Sequence, residues 1–388
     1  MVTTWDMLSR QGVPRVTQAP AQERGIGLSL RPMKLLMVAR RYPPDVRSGT
    51  ETVFENLYLQ ARERHDVRLV VGYRRSRDLV PPEAVAVDLS RGQRVRGYAA
   101  LWYTTRREIA RWKPDVVLSN SIEAPVTSVP MAVIVHDLNF GRPESEQGLG
   151  IQGRRLYYRF KARGLARVIT VSEASRRNLL AAGMPAERTV AIRNGVNLSA
   201  FVPPHPHDTG DERFVLAYPS RILEGKGQHL AIDAVARLPA EIKQRVVLRI
   251  VGTVADQRYL EFIRTQAEGQ PVEIHTDVPD IVPWYQRCDA VLFPTMMTEG
   301  FGFTAVEGMA CARPVIWSDQ PPVREATGGI GVAFPQGDVP ALSRAIAALM
   351  DDPERCARLG REGRAFVQGH YDWSSVWRRY ESALSEMG

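Results

Sequence analysis

Short apolar runs separated by longer amphipathic stretches organise the chain from residue 34 onward. Lys34-Leu-Leu-Met-Val-Ala39 is apolar without alternation, the pattern of a parallel strand buried on both faces. A loop holding Pro and Gly runs from Tyr42 to Gly49, and helical spacing of apolar residues follows from Thr52 to Arg64. Further strands are predicted at Val67–Val71, Asp115–Ser119, Val129–Val135 and Arg167–Val171, with helices at Tyr98–Trp112 and Tyr157–Arg163. A second series begins after the proline-rich stretch Val202-Pro-Pro-His-Pro-His207. Its strands are Phe214–Tyr218, Val246–Val251, Val272–His275 and Ala290–Phe293; its helices are His229–Leu238, Arg258–Glu268 and Ile281–Arg287. Two such alternations joined by a linker predict an α/β protein of two doubly wound, Rossmann-like domains. Ligands of these sheets bind beyond the carboxyl ends of the strands, so the expected site is the cleft between the domains. Residues 1–32 are polar and aperiodic and read as an extension outside the core fold.

Composition narrows the class. The 388 residues are 44% hydrophobic and 24% charged, ordinary for a globular protein and long enough for two or three domains. Cys288, Cys311 and Cys356 form no C-x-x-C pair and no cluster with His, which argues against a disulfide scaffold or a structural zinc site. The apolar runs are too short to span a membrane, and the first residues lack the apolar core of a secretory signal. A cytoplasmic protein is the expectation.

Charge is distributed unevenly. Residues 1–200 hold 32 Lys and Arg against 18 Asp and Glu, whereas the remainder holds 19 against 25. An anionic partner for the first half is the expectation. Arg106-Arg107-x3-Arg111-Trp112-Lys113 and Arg154-Arg155-x3-Arg159-x-Lys161-x-Arg163 interleave arginine with aromatic residues, as interfacial helices do. Peripheral attachment to the cytoplasmic face of a membrane follows as an expectation. No nucleic-acid motif accompanies these runs, so nucleic acid is not expected as a partner.

Three loops carry candidate chemistry. Glu299-Gly-Phe-Gly-Phe-Thr-Ala-Val-Glu307 follows the strand ending at Phe293 and opens a helix predicted over Thr304–Cys311. Its glycines let backbone N–H groups approach a ligand, and a helix N-terminus attracts phosphate. Two carboxylates, one on the loop and one on the helix, suit two hydroxyl-bearing parts of one ligand. Ser220-Arg-Ile-Leu-Glu-Gly-Lys-Gly227 places Arg221 and Lys226 on a second strand-to-helix loop, a placement suited to a diphosphate. Gly49 on the first domain's opening loop permits close backbone approach, and His136 ends a strand facing the cleft.

These residues together resemble the family 4 retaining glycosyltransferases of the GT-B fold, from about Met33 to the end. The resemblance rests on Tyr42-Pro-Pro with Gly49-Thr-Glu51, Arg193-Asn-Gly-Val-Asn197, the Arg221/Lys226 loop, Ile250-Val-Gly, Asp289-Ala-x-Leu-Phe-Pro, the paired glutamates and His370-Tyr-Asp-Trp-Ser374. It implies an acceptor-side domain over 33–200, a donor-binding domain over 201–373, and a helix over 374–388 crossing back to the first. It implies that Glu299 contacts the donor sugar, assisted by Gly300, Phe301, Gly302 and Phe303, with Thr304 and Ala305 beside the phosphates. Glu307 would bind the ribose, Val278 would lie by the base, and Arg221 and Lys226 would neutralise the leaving diphosphate. His136 would lie against the sugar near the reacting carbon. Ser48-Gly49 replaces the family's usual glycine pair, so only the contact at Gly49 carries over.

The expected reaction moves a sugar from a nucleoside diphosphate sugar, UDP or GDP most usual, to a carbohydrate, lipid-linked or small-molecule acceptor. No cofactor and no metal are expected. A sugar-nucleotide epimerase of the same fold and an inactive sugar-nucleotide binder remain as alternatives. A dinucleotide oxidoreductase does not, because Ala39-Arg-Arg-Tyr-Pro-Pro lacks the glycine pattern such enzymes need.

Overall fold

A computed structural model describes residues 31–45, 49–89, 94–121, 127–136, 149–204 and 209–387. Residues 33–388 form one compact unit. The first part of that unit runs β1 (Lys34–Ala39), α1 (Gly49–Ala61), β2 (Asp66–Tyr73), β3 (Val85–Asp88), α2 (Arg94–Trp112) and β4 (Val116–Ser119). It continues with β5 (Met131–Val135), α3 (Leu149–Ala162), β6 (Arg167–Thr170), α4 (Glu173–Ala181) and β7 (Thr189–Ala191). All seven strands are parallel, in the order β3-β2-β1-β4-β5-β6-β7.

The second series begins with β8 (Phe214–Pro219), α5 (Gln228–Ala236), α6 (Ala240–Lys243), β9 (Val246–Gly252) and α7 (Gln257–Ala267). Next come β10 (Val272–Thr276), α8 (Val282–Gln286), β11 (Ala290–Phe293), α9 (Phe303–Ala310) and β12 (Val315–Ser318). It closes with α10 (Pro321–Thr327), β13 (Val332–Phe334), α11 (Val339–Met350), α12 (Pro353–His370) and α13 (Trp373–Ser385). This sheet is also parallel throughout, in the order β10-β9-β8-β11-β12-β13.

Alternate residues of β1 serve two cores. Leu35, Met37 and Ala39 pack with Val53, Phe54 and Leu57 of α1, while Leu36 and Val38 pack with Leu101 of α2 and Ala162 of α3. Helices α2 and α3 therefore cover one face of the first sheet and α1 the other. The last helix returns to α1's side: Trp377 and Tyr380 of α13 are buried, and Glu381 lies 3.1 Å from His65 and 3.2 Å from Arg64. His65 accepts the Met33 N–H on Nδ1, which leaves its Nε2 proton facing Glu381.

Several elements escaped the sequence reading. Strands β3, β7, β12 and β13 have three or four residues each, too few to show a period. Helix α3 starts eight residues before the predicted Tyr157, across Gly150 and Gly153, whose low helix propensity masks the start. What positions the site is the strand order. In each sheet the order of strand addition reverses once, between β1 and β4 and between β8 and β11, and the crevice for a ligand opens beyond the carboxyl ends there.

Candidate functional site

The loops leaving those two switch points line a common cavity of about 260 Å³. From the first sheet come Gly49, Thr50 and His136; from the second come Arg221, Lys226, Glu299 and the run Gly300 to Thr304. Sequence-predicted residues far apart in the chain therefore meet at one place. A larger cavity, about 950 Å³, lies at the amino-terminal ends of β8, β11 and β12, beside Asp289 and Arg313. It contains none of the predicted residues and sits at the wrong end of a parallel sheet for catalysis.

Helix α9 begins from Gly302, whose φ of 99° only glycine adopts without strain. That turn aims the helix N-terminus into the cavity, and Thr304 Oγ1 ties it to the end of β8 by donating to the Pro219 carbonyl at 3.0 Å. Gly300 is needed for a different reason: a Cβ there would sit 2.2 Å from the His136 carbonyl oxygen. The second sheet's loop thus rests directly on the end of β5.

Glu299 and Lys226, assigned by resemblance to different parts of a ligand, touch each other. Lys226 Nζ lies 2.7 Å from Glu299 Oε1, and Thr295 Oγ1 donates to the same oxygen at 2.7 Å. Gln320 holds the loop by accepting the Glu299 N–H at 3.2 Å and donating to the Thr295 carbonyl at 3.1 Å. Arg221 lines the cavity, and its exposed side chain makes no hydrogen bond among the described residues, which leaves its five donors for a ligand.

His136 is held by Asn120. The Asn120 amide nitrogen donates to the Thr50 carbonyl at 3.3 Å, so its oxygen is the acceptor 2.6 Å from His136 Nε2. Nε2 therefore carries the proton and Nδ1 is the acceptor. Burial lowers the imidazole to about 4, so the ring is neutral at physiological pH.

Glu307 lies behind the loop, half-buried on α9, where the Tyr285 hydroxyl donates to Oε2 at 2.6 Å. Burial raises its carboxyl from 4.5 to about 7, against the opposing effect of that hydrogen bond. Ala305 is fully buried, its N–H donating to the Gly302 carbonyl at 3.1 Å, and neither it nor Glu307 lines this cavity. Val278 follows β10, half-buried, and does not line this cavity. No group of three or more His, Cys, Asp or Glu among the described residues could hold a metal ion.

Four residues went unread in the sequence: Asn120, Thr295, Gln320 and Glu325. The first three are polar residues just past the carboxyl ends of β4, β11 and β12, a signal available once those strands are known. Glu325 joins the two halves. Its carboxylate accepts the Glu173 N–H at 2.9 and 3.0 Å and the Ala174 N–H at 3.2 Å, capping α4 from the other sheet's helix α10. Arg193 Nε adds a bond of 3.0 Å to the same carboxylate.

Two parallel sheets facing one cleft define a GT-B glycosyltransferase fold. A crystal structure of Anabaena HepE, solved with UDP and glucose, has this fold at a TM-score of 0.76 and 22% identity, covering 91% of this chain and all of that one. The chain belongs to the family 4 glycosyltransferases: residues 47–200 match the model for Glycosyltransferase Family 4, and residues 204–366 that for Glycosyl transferases group 1. D-inositol 3-phosphate glycosyltransferase 1 of Catenulispora acidiphila is 31% identical over 52% of this chain and 53% of its own length. A GDP-mannose-dependent phosphatidylinositol monomannoside mannosyltransferase of Corynebacterium glutamicum is 28% identical over 50% of this chain and 55% of its own. The chain spans about half the length of these curated relatives. No helix among the described residues is long and apolar enough to cross a membrane.

Proposed function

We propose that the protein transfers a sugar, with retention of anomeric configuration, from a nucleoside diphosphate sugar to an acceptor hydroxyl. The observation that carries this reading is the convergence of Arg221, Lys226, Glu299, His136 and the α9 N-terminus on one cavity. The bond between the anomeric carbon and the diphosphate breaks, and the acceptor oxygen bonds to that carbon on the same face. The acceptor proton passes to the departing phosphate oxygen. Negative charge grows on the diphosphate as this happens, so Arg221, Lys226 and the helix N-terminus stabilise the transition state more than the ground state. Neutral His136 offers Nδ1 to a sugar hydroxyl, and Glu299 exchanges its ion pair with Lys226 for hydroxyls of the donor sugar. A thermal-shift panel of nucleotides and sugar nucleotides tests the reading, because a bound donor raises the melting temperature by mass action. NMR of the product linkage then reads its configuration. An inverted linkage, or a panel in which no nucleotide raises the melting temperature, would overturn it.

Glu307 gives the nucleotide site a pH signature. As a ribose ligand it must be ionised to accept two hydroxyl protons, and burial holds it half-protonated near pH 7. Nucleotide affinity is expected to rise severalfold between pH 6 and pH 8, roughly in step with ionisation. Glu307→Gln should bind more weakly, with that added dependence removed, as calorimetric titration of both proteins across the range will check. The stability effect has the opposite sign. The folded carboxyl binds its proton more tightly than the unfolded one, so without nucleotide this group's contribution declines as pH rises from 4.5 to about 7.

The reading extends to location: the protein works on the cytoplasmic face of a membrane, held there through α2 and α3. Both helices cover the same face of the first sheet, and their outer sides expose Trp102, Tyr103, Leu156, Tyr157 and Phe160. Arg106 stacks over Trp102 at 4.4 Å, and Arg106, Arg107 and Arg111 are exposed with no carboxylate partner among the described residues. The side chains of Arg154 and Arg155 fall outside the described residues. Each basic residue near an anionic leaflet contributes about 1 kcal/mol. Sedimentation with anionic vesicles is expected at low salt, fading at high salt and in the Arg106, Arg107 and Arg111→Gln variant. Protein left in the supernatant at low salt would refute the attachment.

A further inference from the structure

A second, smaller cavity of about 250 Å³ adjoins the first, on the side of the first sheet. Thr50 and His136 line both, so whatever fills it borders the first cavity at the imidazole. At ~30 Å³ per water it equals the volume of roughly eight waters, enough for a sugar-sized or phosphorylated group. Its wall is built from Arg40, Arg41, Glu51, Asn120, Ser121 and Tyr158.

The two arginines differ. Arg40 donates to the Tyr98 hydroxyl at 2.5 Å and lies over that ring, so it is held by α2. Arg41 is half-buried, its Nε has lost water, and it makes no hydrogen bond or ion pair among the described residues. A half-buried guanidinium without an acceptor is costly. Burial and the nearby Arg40 and Arg74 depress its pKa, with Glu51 opposing, so the surroundings are net positive. Such a place is completed by an oxyanion rather than by a neutral hydroxyl.

We infer that this cavity is the acceptor subsite and that Arg41 binds a phosphate group on the acceptor. The inference rests on the glycosyl-transfer reading and specifies its acceptor by chemical class. A phosphate suits the wall better than a carboxylate, since a monoester brings about −1.5 to −2 charge at pH 7 against the excess of arginine. It also suits Tyr158, which extends the cavity wall onto α3, the helix that exposes Leu156, Tyr157 and Phe160. The phosphate can therefore belong to a free phosphorylated small molecule or to a lipid.

Calorimetric titration of the full chain, loaded with the nucleotide that most raises its melting temperature, separates these sources. The two probes are glycerol 3-phosphate and monomeric dihexanoyl phosphatidic acid, with glycerol as the neutral control. At least one phosphate probe should bind, glycerol should not, and Arg41→Gln should weaken the phosphate by about tenfold or more. Arg41→Lys should fall between, because it keeps the charge and loses the fork. The tighter probe identifies the source. Nucleotide binding, which uses the other sheet, reports that each variant is folded. An affinity for phosphate unchanged in Arg41→Gln, or neither probe binding the nucleotide-loaded chain, would overturn the proposal. Absence of nucleotide binding would count against glycosyl transfer instead.

Discussion

Glu299→Gln is expected to lower turnover by about 10³-fold while nucleotide affinity changes by less than about threefold. The side chain is nearly isosteric and keeps an oxygen for the Thr295 hydroxyl, so the loop held by Gln320 should stay in place. What is lost is charge. The carboxylate can exchange its bond to Lys226 for two sugar hydroxyls and then stabilise the cationic sugar that forms between leaving group and acceptor. An amide can do neither well, and it leaves Lys226 without its partner in a partly buried setting. On the proposed reading the nucleotide is held elsewhere, by Glu307 and the Arg221 loop, which is why binding and turnover should separate. Steady-state kinetics beside calorimetry of nucleotide binding make the comparison. Near-normal turnover would remove Glu299 from the chemistry.

Gly300→Ala should be almost as damaging, for a steric reason. The added methyl carbon would lie 2.2 Å from the His136 carbonyl oxygen and 3.3 Å from Val171 Cγ2. The first contact is with backbone, which cannot rotate away, so the loop and β5 must separate by about an ångström. Reacting groups need alignment to within a fraction of that distance, and a misplacement of about 1 Å is worth some 10²-fold. Nucleotide affinity should survive, since the residues proposed for the ribose and diphosphate all belong to the second sheet's side. A loss of turnover near 10²-fold at unchanged nucleotide affinity is the expected result. Normal turnover would mean that the two sheets need not approach this closely. The clasp at Glu325 works on the same approach, by fixing α4 against α10.

The sequence was a good guide wherever chemistry and local pattern coincide. The Arg221 and Glu299 loops were legible because a strand, a glycine turn and a helix start follow one another within a dozen residues, and the chemistry sits on the turn. The longer strands were legible because burial on both faces demands uninterrupted apolar runs. Helix boundaries were less so: α1 begins at Gly49, inside what the sequence reads as loop, because its first residues have weak propensity and are held by their neighbours.

What the sequence by itself determined, then, is the repeated strand-and-helix alternation, the two phosphate-suited loops and the uneven charge, all local properties written in consecutive residues. Only the tertiary structure decided that Lys226 pairs with Glu299, that Asn120 sets the tautomer of His136, that Glu325 caps a helix from across the cleft, and that Arg41 stands unpaired beside the site. Each joins or isolates groups through space, between 16 and 152 residues apart where a pair is made. Side-chain pattern encodes which face of an element is buried. It does not encode which partner waits there, because that depends on strand order and on how two sheets meet, and both are settled by packing the whole chain at once.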